Sequence, residues 1–124
     1  MERKYDIEDR CVVFGAEIVK FTDALPTTKA GNHLGLQLLR SGTAPALHYG
    51  EVQGAESPRD FIHKMRVALK ELRESKNNMR IMALAGLMDL SKSDQDRLMK
   101  ECSELIAIFN ASVKTAERNN PRKK

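Results

Sequence analysis

Six apolar residues near the start of the chain, Ile7, Cys11, Phe14, Ile18, Phe21 and Leu25, recur at the 4-3-4-3-4 spacing of a heptad seam. That spacing puts all six on one stripe of an α-helix and none of it fits a pleated strand. A stripe this regular must be covered lengthwise by other helices. The first segment is therefore expected to be a helix over about residues 6–25, ended by Pro26, which disfavours helical geometry in the residue before it.

The same logic organises the rest. Leu34, Leu38 and Leu39 begin an apolar face that resumes with Ala46, Leu47, Tyr49 and Val52, so a second helix is expected over about 32–54. Between them lies Arg40-Ser41-Gly42-Thr43-Ala44-Pro45-Ala46. In a helix interior Gly costs about 1 kcal/mol and Pro about 3 kcal/mol against Ala. The pattern predicts a kinked helix rather than two, with small residues that admit a close neighbour. The third segment opens on Ser57 as N-cap and Pro58 at the first helical position, and runs to about residue 86. Its seam is Phe61, Met65, Ala68, Leu72, Ser75, Met79 and Met82. Ser91 and Ser93 are capping candidates for a fourth helix over about 94–117, with Leu98, Cys102, Leu105, Phe109 and Ala116 on its seam and Ile106 and Val113 beside it. Residues 118–124 form an expected basic tail.

Four helices joined by short turns predict a single all-α domain, an antiparallel up-down-up-down four-helix bundle. Strand signals are weak, Trp is absent, and 41% of the 124 residues are hydrophobic, as a helix-rich globular chain requires. No apolar run is long enough for a membrane span. The N-terminal stretch MERKYDIEDR has no apolar core of a secretory signal. Both cysteines sit on seam positions and are expected to be buried reduced thiols, so the expected compartment is the cytoplasm.

Chemistry is harder to find. A di-metal bundle needs a Glu from each of two helices and Glu-x-x-His from the other two. Here the order is reversed in His48-x-x-Glu51, Asp60-x-x-His63 is the one other candidate, and the fourth segment has no His. No nucleophile elbow and no phosphate-binding glycine loop is present. The expectation is no enzyme, no catalytic residue, no metal, no cofactor and no small-molecule substrate. His48 is expected to be part-buried and hydrogen-bonded, and Glu51 to bond backbone donors of the turn that follows it.

One charged feature stands out. Arg59, Arg66, Arg73 and Arg80 recur every seven residues, and with Lys70 they fall within about 80° of one another on a helical projection. Net charge is +4, and the excess lies in the second half: residues 57–90 hold seven basic groups against four acidic, and residues 91–124 eight against five. The row admits three readings: a solvated helix face, a surface for RNA or DNA phosphates, or a subunit interface meeting acidic groups on a neighbour's first segment. Exposed aromatics for base stacking are missing, so any nucleic-acid contact is expected to be mostly electrostatic.

The residues Arg40-Ser41-Gly42-Thr43-Ala44-Pro45-Ala46-Leu47-His48-Tyr49-Gly50-Glu51, with Ala55-Glu56-Ser57, Asp60-Phe61-Ile62 and Leu69-Lys70-Glu71-Leu72-Arg73-Glu74, resemble the four-helix-bundle proteins encoded in intervening sequences of bacterial 23S rRNA genes. The likeness spans most of the chain and is densest over residues 38–74. It departs from the family at His48, where Asn is usual, at Val52, where Gly is usual, and at Lys70-Glu71, where Gly-Ser is frequent. The resemblance implies an up-down bundle, assembly as a homopentamer, and distant kinship to the basic accessory bundle proteins of diversity-generating retroelements. It also implies that Gly42, Pro45, Glu51 and Glu74 are structural or interface positions. Five copies would carry +20.

Overall fold

A computed structural model describes residues 6–121. It contains four helices, α1 (Ile7–Asp23), α2 (Lys29–Val52), α3 (Pro58–Leu84) and α4 (Ser93–Asn119), and no strand among the described residues. Each helix packs on its chain neighbours, and α4 closes the bundle against α1. Cross-helix partners run in opposite senses on every side: Arg40 of α2 meets Glu71 and Glu74 of α3, and Leu34 meets Asn78 further along. The arrangement is the antiparallel four-helix bundle that the seams require.

The ends follow from capping chemistry. Asp6 accepts from the amide of Asp9 at 2.7 Å and starts α1. Thr28 accepts from the amide of Gly31 at 3.0 Å, so α2 begins earlier than residue 32. Ser57 accepts from the amide of Asp60 at 3.1 Å, with Pro58 beside it, as expected. The end of α3 is a Schellman motif: Gly86 takes φ +83°, and the amides of Gly86 and Leu87 donate to Ala83 and Met82. The start of α4 differs from expectation. Neither Ser91 nor Ser93 caps it; Lys92 holds the N-cap position without a side-chain bond. Asp89 has captured Ser91, taking both its hydroxyl at 2.6 Å and its amide at 3.0 Å. The fourth helix also continues past residue 117 through Arg118, so the expected basic tail starts later; Arg122, Lys123 and Lys124 lie outside the described residues.

The core is a single apolar cluster to which all four helices contribute. Cys11, Phe14, Ile18, Leu38, Leu72, Met79, Met82, Leu105 and Phe109 are fully buried, each aliphatic or aromatic side chain worth about 1.5–3 kcal/mol of transfer free energy. Tyr49 of α2 and Phe109 of α4 meet across the core, with ring centroids 5.9 Å apart and planes tilted 56°. Val113 is more fully buried than Ala116 at the end of the α4 seam. Cys11 and Cys102 are buried free thiols, and burial pushes both up to about 12. Two polar contacts thread the α2–α3 interface. Ser75 donates to the carbonyl of Glu71 at 3.1 Å and pairs with Ser41 at 2.8 Å. Asn78 donates to the carbonyl of Leu34 at 3.1 Å while its own buried oxygen has no protein partner.

The small-residue stretch does what its composition suggests. Helix α2 runs unbroken through the buried Pro45. A methyl group on Gly42 would come within 2.8 Å of Ile18 Cγ1, and one on Gly15 would meet the Thr43 backbone at 3.6 Å. Glycine at position 42 therefore sets the close approach of α1 to α2.

Candidate nucleic-acid interface

The arginine row survives folding as a surface feature. Arg59, Arg66, Lys70, Arg73 and Arg80 are all exposed on the outer side of α3. At 1.5 Å rise per residue the row extends about 30 Å from Arg59 to Arg80. Its acidic neighbours are drawn elsewhere. Glu71 and Glu74 both turn to Arg40 of α2, each at 2.8 Å. Asp60 bonds Lys64 at 3.2 Å and the amide of Glu56 at 3.2 Å, and those contacts hold its carboxyl below the usual carboxylate range. One carboxylate pairs with the row among the described residues, Glu117 from α4, which bonds Arg66. Among the described residues Arg59, Lys70, Arg73 and Arg80 have no ion-pair partner. Arg80 donates to the amide oxygen of Asn77 at 3.1 Å.

Other arginines that bridge helices are paired. Arg10 donates to Glu101 at 2.6 and 3.1 Å and lies 3.1 Å from Glu104, tying α1 to α4. Those carboxylates raise the Arg10 guanidinium further above its already high value. Arg97 joins α4 back to Glu17 of α1 at 3.1 Å. On the α3 outer face Arg59, Lys70, Arg73 and Arg80 keep their charge available to an external anion; Lys20, Lys29, Lys92, Lys114 and Arg118 are likewise without an ion pair elsewhere among the described residues.

Folding adds residues that periodicity on α3 alone does not reveal. A groove of about 460 Å³ lies between α3 and α4, lined by Arg66, Leu69, Lys70, Arg73, Glu74 and Asn77 from one helix and Asn110, Val113, Lys114 and Glu117 from the other. Arg59 borders a second recess with Ile62, Arg66, Glu117 and Asn120. Lys114 joins the row across the groove, and its place on α4 hides this from a reading of α3.

The remaining predicted positions fall outside this surface. Gly42 and Pro45 are buried within the bundle. Glu74 is the exception: it pairs with Arg40 of α2 and also lines the α3–α4 groove beside Arg73. Glu51 is exposed, and its side chain makes no hydrogen bond among the described residues; Gly54 instead closes the turn by donating to the Glu51 backbone carbonyl at 3.0 Å. The expectation that its carboxylate bonds turn donors is therefore wrong: the backbone satisfies that turn itself. His48 is half-buried and likewise lacks a hydrogen-bond partner among the described residues. No cluster of three His, Cys, Asp or Glu side chains with metal-binding geometry occurs among the described residues, and no helix there is long and apolar enough to cross a membrane.

Comparison with known proteins is consistent with the fold. A crystal structure of a protein of unknown function from the S23 ribosomal protein family of Bacteroides thetaiotaomicron matches with a TM-score of 0.80 at 23% identity, over 88% of this chain and 99% of that one. The likeness at that identity concerns the bundle itself. No curated protein matches the sequence. The family model described as 23S rRNA-intervening sequence protein matches residues 3–111. With that match over most of its length, and with the four packed helices, the chain belongs to the 23S rRNA-intervening sequence protein family.

Proposed function

We propose that the protein is a non-enzymatic, homo-oligomeric helical bundle that holds RNA or DNA by its phosphates along the outer face of α3. The observation that carries this reading is the row Arg59, Lys70, Arg73 and Arg80, exposed and without carboxylate partners among the described residues, extended by Lys114. Rigidly spaced guanidinium groups suit backbone oxygens, which they can engage with two parallel hydrogen bonds. Binding of this kind is steered by charge, weakens with salt and reads sequence poorly.

Self-association has its own support on the opposite side. Val12, Ala16 and Val19 line the outer side of α1, and Leu36, Thr43 and Leu47 that of α2. The approach of Gly15 to Thr43 makes the two strips adjacent. Val12, Leu36 and Leu47 are 54%, 69% and 71% exposed, apolar side chains that a second copy could cover. The family resemblance implies a pentamer, in which five such basic rows would share one assembly. The same apolar face favours a second reading, an assembly module that binds protein and no nucleic acid.

Two measurements separate these. The wild-type chain should bind a labelled oligoribonucleotide at low salt, and Lys70→Glu with Arg73→Glu should weaken that binding at least about tenfold while leaving the Arg66–Glu117 pair intact. Light scattering should give an oligomer for the wild type and a folded monomer after Leu36→Glu with Leu47→Glu. An oligomer that binds no nucleic acid would leave the assembly-module reading standing alone.

A further inference from the structure

We infer that the nucleic acid held on this surface is single-stranded, with unstacked bases laid in the groove between α3 and α4; the inference rests on the phosphate-binding reading above. The groove is built differently from a plain cationic strip. Leu69 and Val113, each only 5% exposed, form its floor. Asn77 and Asn110 stand on its two walls, with Arg73 and Lys114 at the rim; its two carboxylates, Glu74 and Glu117, are paired with Arg40 and Arg66. An apolar floor accepts the face of a base, side-chain amides meet its polar edge, and cations at the rim meet the phosphates on either side.

The amides have unused capacity. Asn77 gives its oxygen to Arg80, which leaves its NH2 group without an acceptor. Asn110 is half-buried on the α4 wall and its side chain has no hydrogen-bond partner among the described residues. A carboxamide offers both donor and acceptor, so it can pair with the edge of any base.

A duplex cannot use this arrangement. Its base faces are closed off within the stack, and it presents backbone and groove edges only. A duplex resting on the arginine row would leave the recess below it empty. A single strand can follow the row and turn its bases inward. With an aliphatic floor in place of aromatic platforms, the base contact is modest and sequence-tolerant.

The test compares one labelled single strand with its duplex, at equal length and salt, against the full chain and two variants. The single strand should bind about tenfold more tightly than the duplex. Asn110→Ala should weaken single-strand binding roughly fivefold, as loss of one hydrogen bond does, and leave duplex binding unchanged. Lys114→Ala should weaken both forms, with circular dichroism unaltered in either variant. Equal or tighter duplex binding, or an Asn110→Ala protein with normal single-strand affinity, overturns the groove while leaving the phosphate row in place. Failure to bind either form at low salt overturns both.

Discussion

The α1–α2 contact and the α3–α4 contact solve the same packing problem in opposite ways. Between α1 and α2 the backbones come close over Gly15 and Gly42, no ion pair crosses among the described residues, and the outer face is apolar. Between α3 and α4 a groove remains, bordered by cations, amides and the Arg66–Glu117 pair. Small residues buy proximity on one side; long charged side chains keep the other side open to water. Stability should therefore be sensitive to substitution at α1–α2, and anion binding to substitution at α3–α4.

The largest effect is expected at the α1–α2 turn. A methyl group on Gly31 would lie 2.2 Å from the carbonyl oxygen of Pro26, a backbone atom that cannot step aside. Gly31→Ala should cost about 3 kcal/mol, the upper range for overpacking, in a urea titration. A loss below 1 kcal/mol would mean that the turn relaxes freely.

Next comes pH, which probes whether both sides are equally dry. The Cys11 and Cys102 thiols are pushed up to about 12 by burial. The folded state therefore keeps protons that the unfolded chain gives up near pH 8.5. Stability is full below that value and falls as pH rises towards 12, by about 1.4 kcal/mol per pH unit for each thiol. Cys11→Ala and Cys102→Ala should each remove one proton's worth of that slope. A variant whose alkaline slope matches the wild type would place its thiol in contact with water.

Gly42→Ala is expected to cost less, about 1–2 kcal/mol, because the obstacle is the Ile18 side chain and the helix gains from alanine. In an Ile18→Ala background the cost of Gly42→Ala should shrink or change sign. Additive losses would show that the two residues do not meet.

The smallest effects should separate two ion pairs. Arg10 is about one-quarter exposed and bonds two carboxylates on α4, so Arg10→Ala should cost about 1–2 kcal/mol. Arg66 and Glu117 are each near half-exposed, and Arg66→Ala should change stability by less than about 0.5 kcal/mol. Equal losses would make the α3–α4 pair a structural clasp and weaken its assignment to a binding face.

Much of this was visible in the sequence. The heptad seams on α1, α3 and α4 carry the core, and Ser57-Pro58 marks the start of α3 unaided. What stayed hidden depends on partners distant in the chain. Asn78 looks like surface beside Asn77, yet it is buried because the Leu34 carbonyl on α2 receives its amide. Ser91 has the spacing of a cap, but Asp89 competes for it two residues away. Asn110 and Lys114 carry no periodic signal, and only the packing of α4 beside α3 gives them a place at the groove. The arginine row itself was legible, whereas the absence of ion pairs at Arg59, Lys70, Arg73 and Arg80 was not: Arg40 on α2 engages Glu71 and Glu74 in their place.

The division between the two sides is tested most directly by salt dependence. Each phosphate contact contributes about 0.7 to the slope of log affinity against log salt for a single strand. Lys70→Glu with Arg73→Glu should lower that slope by about 1.4 with urea stability unchanged, because both side chains face outward. Leu36→Glu with Leu47→Glu should alter assembly, while the slope per bound chain stays the same. An unchanged slope after the α3 substitutions, or loss of folding stability in their place, would contradict the account.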